Sequence, residues 1–475
     1  MIFSTYQFIF LFLPITFFVY FFFNHFKYYS IAKIWLAVAS LYFYGQGSPD
    51  FFVFFLASVT GNYLVGSCLG HLDGEQKAQR KLLLFIGVMA NVALLGYYKY
   101  TDFFIENFNA LTGMDFALKH IALPIGISFF TFQLIAFLVD AYRGETKQYD
   151  FINYLLFITF FPQLIVGPII HHGEVVPQFE NEKNLKLNYD NIAKGLFLFA
   201  IGCGKKIMLA DPLTTNAQDF FANITDQLPL IESWYHSIEY TISYYFDLSG
   251  YADMAIGLGL MFNIIIPQNF DSPYKARNFQ DYWRRWHITL SRFLSAYIFR
   301  SVYRKGNRWR NYYIATMVTF FVSGFWHGAG WTFIAWGIVN GVFVCTAAWM
   351  KRKNLKLPGV LAYPMTMLGV VLARVLFVSE SFGDAWNVYK GMLNFNSLGS
   401  SLYEILRQGW GFLKNNGTTS LVLLAGLIIC WFLPNSREMT ERFKGGWKSV
   451  VFAGVLLVIC IMQMNQVVQF LYFQF

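Results

Sequence analysis

His327 stands near the middle of 40 residues, 311–350, that contain no Asp, Glu, Lys or Arg. Its surroundings read Ser-Gly-Phe-Trp-His-Gly-Ala-Gly-Trp over 323–331. A titratable group at membrane depth is costly and points to function. Glycines at 324, 328 and 330 loosen or break a helix, and non-helical backbone survives in a bilayer only against protein or a cavity. The spacing therefore places the imidazole beside an internal passage, with Trp326 lining it. A structural histidine bonded across helices, or one exposed in a tight turn between two spans, fits the same residues.

A second histidine, His287, lies in Asp-Tyr-Trp-Arg-Arg-Trp-His-Ile-Thr-Leu-Ser, 281–291. On one continuous helix Trp283, Trp286, His287, Leu290 and Leu294 would share a face. Arg284, Arg285 and Arg292 would fall outside it. This pattern predicts an amphipathic helix at the cytoplasmic interface, with its tryptophans at headgroup depth. Its arginines either anchor topology or grip the phosphates of an anionic donor, which guanidinium matches in bidentate fashion. We assign Arg284 and Arg285 to that second role.

Asp247 and Asp253 occur in an apolar stretch, 244–259, and must be paired, hydrogen-bonded or wet. Either they orient a histidine or line a polar tunnel, or they pair with a membrane arginine. His171, His172 and Glu174 lack metal-ligand spacing and read as a loop feature, so no metal is expected. Gly-Cys-Gly-Lys-Lys, 202–206, lacks the phosphate-loop spacing. The tail from Phe470 to Phe475 reads, by composition, as a packing anchor.

The elements that must carry these residues are membrane helices. Of 475 residues, 56% are hydrophobic and 13% charged, about half the charge of a soluble domain. The net charge is +9, and +8 of it lies in the basic cytoplasmic segment 271–310, with ten basic residues against two acids. A nucleic-acid protein would carry its basic residues on a polar domain, and none is present. Five scattered cysteines make neither a disulfide framework nor a metal knuckle.

Charge-free runs at 2–26, 51–72, 82–98, 120–139, 151–173, 311–350, 357–373, 415–436 and 449–475 give ten candidate crossings, with 311–350 counted twice. Weaker candidates lie near 30–47, 192–210 and 234–266. These predict an all-α polytopic membrane protein of roughly 11–13 transmembrane helices plus interfacial helices, in one domain, 1–475. The first span reads as a retained helix rather than a cleavable signal. Positive charges after it put residues 27–33 in the cytoplasm. No internal repeat is visible, which weighs against a duplicated transporter.

In order along the chain stand Phe-Phe-Pro-Gln-Leu-Ile-Val-Gly-Pro-Ile (160–169), Pro-Gln-Phe (177–179), Tyr-Tyr-Phe-Asp-Leu-Ser-Gly-Tyr-Ala-Asp (244–253), Trp-Arg-Arg-Trp-His (283–287) and Trp-His-Gly-Ala-Gly-Trp (326–331). With these tracts the chain resembles a membrane-bound O-acyltransferase of the alginate and peptidoglycan O-acetyltransferase type, over nearly its whole length. Teichoic-acid D-alanyl transfer proteins are more distant kin. The resemblance implies helices around a central tunnel, with His327 where inner and outer cavities meet and His287 as the second family histidine. It makes Tyr472, in the Phe-Leu-Tyr-Phe-Gln-Phe tail, an acyl carrier, against the bland reading of that tail. It further implies acetyl-CoA as donor, a periplasmic SGNH-type acetyltransferase as partner, and an extracytoplasmic polysaccharide as acceptor, peptidoglycan first and alginate or another exopolysaccharide second. The setting would be the bacterial inner membrane. A transporter or flippase of a lipid-linked or polysaccharide substrate is the alternative.

Overall fold

The computed structural model describes residues 2–72, 76–146, 149–464 and 470. Tyr472 lies outside the described residues, as do the other four residues of the tail after Phe470. Among the described residues every regular element is helical and no strand occurs. The chain divides into two compact units, neither continuous in sequence. The first comprises Met1–Ala200, Ala252–Pro267 and Phe443–Met464. The second comprises Ile201–Tyr251 and Gln268–Arg442, together with Phe470.

In the first unit the principal helices are α1 (Leu13–His25), α2 (Tyr29–Gly47), α3 (Phe52–His71), α4 (Lys77–Leu95), α5 (Ile127–Arg143) and α6 (Phe151–Thr159). A knot of rings fills its centre. Phe262 meets Phe17, Tyr20, Phe160 and Phe161 at centroid separations of 5.6 to 6.3 Å. Two further helices, α7 (Tyr189–Gly204) and α8 (Leu230–Met261), contribute residues to both units. Within the first unit they pack backbone to backbone. A Cβ on Gly257 would stand 2.6 Å from the Gly195 carbonyl oxygen and 2.8 Å from the Phe199 nitrogen.

The second unit holds α9 (Phe279–Arg285), α10 (Ile288–Leu294), α11 (Arg308–His327), α12 (Trp331–Arg352), α13 (Gly359–Val378) and α14 (Gly417–Phe432). Much of α8 is polar, yet it is buried because its hydroxyls turn back on its own backbone. Ser237 Oγ donates to the Ser233 carbonyl and Thr241 Oγ1 to the Ser237 carbonyl, both at 2.7 Å.

Among the described residues five stretches are long and apolar enough to cross a membrane: Phe8–His25, Pro49–His71, Lys77–Thr112, Trp331–Arg352 and Gly359–Val378. A sixth follows if Leu402–Asn415 and Gly417–Phe432, bent by 97°, act together. This falls below the 11–13 expected from charge-free runs. Charge-free runs and long apolar helices are different measures, because the absence of charge does not ensure continuous helix. The run 151–173 contains Phe151–Thr159, the four-residue Phe161–Leu164 and then irregular chain. The run 120–139 becomes helical only at Ile127. Conversely, 311–350 does yield two helices.

The close approach at Gly195 and Gly257 makes a direct prediction. Gly257→Leu would force the two backbones apart, and overpacking of this kind costs about 1–3 kcal/mol. Gly454→Leu points its side chain into open space. Size-exclusion profiles of detergent-extracted protein should show strong loss of the monodisperse peak for the first variant and none for the second.

Candidate active site

The break in the 311–350 run occurs at the predicted histidine. Helix α11 ends on His327, Gly328 and Gly330 take extended backbone dihedrals, and α12 begins at Trp331. Gly328 and Gly330 accordingly serve the break. Gly324 does something else: it lies inside α11, and a Cβ there would meet the Phe333 carbonyl and stand 3.1 Å from Gly337 Cα. It lets the two helices cross at backbone contact rather than loosening one of them.

His327 is buried, which removes the reading as an exposed turn residue. Its ring stands edge-on to Trp326, Trp336 and Phe377, at 4.8, 5.0 and 5.4 Å. Trp326 is thus a wall of the histidine site. Trp336 and Phe377 complete that wall, and spacing along the sequence could not have paired them with His327.

His287 departs from the predicted continuous helix. It adopts φ +45 and ψ +54, in the left-handed region, and separates α9 from α10. The shared face expected for Trp283, Trp286, His287, Leu290 and Leu294 therefore does not form as one stripe. Backbone and side-chain bonds hold the strained residue in place. Ile288 N–H donates to the Asn269 carbonyl at 2.9 Å, and Asp271 N–H to the Arg285 carbonyl at 2.9 Å. Asn269 Oδ1 accepts from both the N–H and the hydroxyl of Thr289. A left-handed non-glycine residue kept by its surroundings is a mark of a functional position. The ring of His287 is buried beside Phe270, at 6.0 Å, and its Nδ1 finds no hydrogen-bonding side chain.

Ring contacts join the two histidine neighbourhoods. Trp286, next to His287, stacks on Tyr244 at 5.9 Å. Tyr244 meets Phe377 at 5.2 Å, and Phe377 meets His327. Arg374 of α13 is embedded in this cluster and buried. It escaped notice in the sequence because it ends the charge-free run 357–373, although the helix continues to Val378.

The two arginines predicted together part company. Arg285 donates from Nε to Asp281 at 2.9 Å and from Nη1 to the Asp271 carbonyl at 3.3 Å. Those contacts brace the 268–289 turn and engage the Arg285 guanidinium within the protein. Arg284 instead lines a cavity of about 590 Å³ with Arg308, Lys351, Arg352, Trp309 and Tyr312. The lining contains no acid, and Arg352 stacks on Trp309 at 5.0 Å. A second cavity of about 320 Å³ shares Phe299 and Tyr312 with it. This one is apolar but edged by Ser291, Ser295, Thr316, Thr319 and Ser323, and it is walled by Trp283. Trp283 packs on Trp336 at 5.8 Å, so the second cavity backs onto the wall of the His327 site.

Asp247 is paired, but with a lysine and not an arginine. Lys206 Nζ lies 2.6 Å from Asp247 Oδ1 and 2.7 Å from Asp211 Oδ1, with all three buried. The helix is widened over Lys205–Ala210 into i→i+5 bonding. That widening aligns residues five apart, which an ordinary α-helix would splay. The Phe470 ring caps the ammonium at 4.2 Å and meets Tyr251 at 4.6 Å. Asp247 is therefore a structural ion-pair member, while Asp253 is buried in the first unit.

His171 and His172 are more than a loop feature. Both Nε2 atoms approach Asp140 Oδ2, at 2.8 and 3.2 Å, and Tyr149 Oη bonds His172 Nδ1 at 2.9 Å. The three side chains have the proximity of a metal site. However, Gly173 N–H donates to His171 Nδ1. That leaves the proton on Nε2, the atom a metal would need. The group is a hydrogen-bonded clasp between α5 and the 165–171 segment.

These features define a helical, multi-pass membrane protein with a buried histidine at a helix break, whose aromatic wall backs an apolar cavity next to a basic one. Residues 67–368 match the family described as MBOAT, membrane-bound O-acyltransferase, and the chain belongs to that family. It is an O-acyltransferase. It is 39% identical to a peptidoglycan O-acetyltransferase of Helicobacter pylori, over the whole of this chain and 98% of that one. It is 35% identical to a probable alginate O-acetylase, AlgI, of Pseudomonas aeruginosa, over 91% of this chain and 81% of the other. Similarity to a teichoic acid D-alanyltransferase of Streptococcus thermophilus is 27%, over 48% and 58% of the two chains.

Removing the lysine from the buried triad tests its structural role. Lys206→Met strands two carboxylates, and breaking a buried pair costs about 3–5 kcal/mol. Its melting temperature in detergent should fall sharply, and Lys206→Met with both Asp211→Asn and Asp247→Asn should recover much of the loss.

Proposed function

We propose that the protein transfers acetyl groups from cytoplasmic acetyl-CoA, at His327, for O-acetylation of an extracytoplasmic polysaccharide. Peptidoglycan is the favoured acceptor and alginate or another exopolysaccharide the second choice. The observation that carries this reading is the seat of His327: a buried imidazole at a helix break, whose wall also backs an apolar cavity that adjoins a basic one. The acetyl-transferring relatives, one matching over its full length, support the acetyl group and the polysaccharide.

The cavities fit the donor in chemical kind. Four cations and no acid suit the nucleotide phosphates, and the Trp309 and Tyr312 rings suit the adenine. The adjoining apolar cavity is edged by hydroxyls and by the Trp283 indole N–H, which has no hydrogen-bond partner among the described residues. Those groups suit the amides of a pantetheine arm. His327 then acts as general base, taking the proton from the attacking hydroxyl, a contribution of about 10²–10⁴-fold. Tyr472 is the first acceptor. A phenol has a pKa near 10 and needs such a base, and its acetyl ester stays activated for a second transfer. The next acceptor is a periplasmic SGNH-type acetyltransferase, which places the acetyl on the sugar. A tunnel between the two faces of the inner membrane would run past Trp326, beside His327.

Two experiments check this reading. His327→Ala and Tyr472→Phe, at wild-type protein levels, should each abolish O-acetyl esters on the envelope polymer, measured as base-released acetate. Full acetylation by either variant would remove that residue's role. Separately, Arg284→Gln and Lys351→Gln should each raise KM for acetyl-CoA by about tenfold, as expected for a lost charge-assisted contact. Arg285→Gln should lower thermal stability and leave that KM unchanged.

A further inference from the structure

Arg374 is the one charged residue in the span Gly359–Val378, and its side chain is buried. A guanidinium stays ionised in any protein environment, so its burial must be answered by its neighbours. Among the described residues no carboxylate lies within ion-pair distance of it. Asp247, one turn along α8 from Tyr244, is held by Lys206. Arg374 is met instead by three π faces: Tyr244 at 4.2 Å, Phe377 at 4.9 Å and Trp286 at 5.2 Å. Among the described residues neither Tyr244 Oη nor the guanidinium Nε makes a hydrogen bond of good geometry, and Tyr282 stands in the same ring cluster through Trp286.

Aromatic faces hold a cation without cancelling its charge, because a ring quadrupole carries no net charge. Ring faces also bring no lone-pair acceptor to its five N–H donors. What remains is a positive group with donors to spare, fixed on the same Phe377 ring against which His327 stands. Such a group suits an anion that exists only briefly. A permanent counter-ion would neutralise it, and none is paired with it here.

We propose that Arg374 binds the oxyanion formed during acyl transfer at His327, an assignment that rests on the acetyl-transfer reading above. The attacking hydroxyl oxygen bonds to the thioester carbonyl carbon and gives its proton to His327. The carbonyl π electrons move to oxygen, and that O⁻ is received by the Arg374 guanidinium. When the intermediate collapses, the C–S bond breaks, the carbonyl re-forms, and the departing thiolate takes the proton back from the imidazolium. No oxidant or further reactant is needed.

The test uses the full-length protein in nanodiscs, with acetyl-CoA as donor, hydroxylamine as the nucleophile that takes the acetyl group from the carrier, and CoA release followed by chromatography. Removal of an oxyanion donor lowers kcat by about 10²–10³-fold. Arg374→Gln should show that loss with KM for acetyl-CoA shifted less than about threefold, and Arg374→Lys should be intermediate. Methylguanidinium added to Arg374→Ala should raise turnover at least about tenfold, a rescue that a packing role would not give. A kcat for Arg374→Gln within about threefold of wild type, or a loss confined to KM, overturns the proposal. If Arg374→Gln fails to accumulate, Arg374→Lys decides, since turnover within about threefold of wild type then overturns it and a larger kcat loss supports it. His327→Ala separates the two readings. If it is inactive while Arg374→Gln is fully active, only the arginine's role falls; if it is fully active, acyl transfer at His327 falls with it.

Discussion

A charge taken out of water in an apolar protein must be paired, hydrogen-bonded or cradled, and the inner architecture of this chain follows from how it meets that demand. Lys206 is the fullest case. It is nearly inaccessible and draws Asp211 from its own helix and Asp247 from α8 onto one ammonium. The helix widens by a residue over Lys205–Ala210 so that Asp211 can reach. A Cβ on Gly250 would meet the Gly202 carbonyl oxygen at 2.9 Å, so the glycines there let the two backbones come together. Ion pair, bulge and glycine are a single device. Phe470 closes it, placing the start of the aromatic tail over the same ammonium.

The other buried ionisable groups meet the demand differently, and the differences sort structure from chemistry. Asp140 is clasped by His171 and His172, so those histidines are spent on architecture. Arg285 is spent on Asp281 and the Asp271 carbonyl. His327, His287 and Arg374 are instead set among aromatic rings, which supply contact but few hydrogen-bonding atoms. The aromatic richness that marks the composition is thus the material of the site wall as well as of the core.

Much of this was legible in the residues. The charge-free runs identify a multi-pass helical protein because hydrocarbon excludes ions. His327 declares itself as the single histidine amid 40 residues without Asp, Glu, Lys or Arg. Its flanking glycines announce the helix break. The count of spans was less legible, since 151–173 is apolar throughout and still leaves the helix before His171. The role of Arg374 was hidden for the converse reason: a charge inside a helix looks like the end of an apolar run. His287 looked like one face of an amphipathic helix because helical spacing says nothing about a left-handed residue held by Asn269 across a turn.

By itself the sequence determined the membrane class, the family tracts and the histidine around which chemistry can be organised, since these depend on residue type and local spacing. Tertiary structure decided which charges are engaged and which are available. It spent Arg285 and Asp247 on ion pairs, turned Arg284 toward a basic cavity, and set Arg374 against the ring that also packs on His327. The reason is physical: pairing depends on distance through space, and residues brought together from α8, α9, α11 and α13 share no periodicity along the chain.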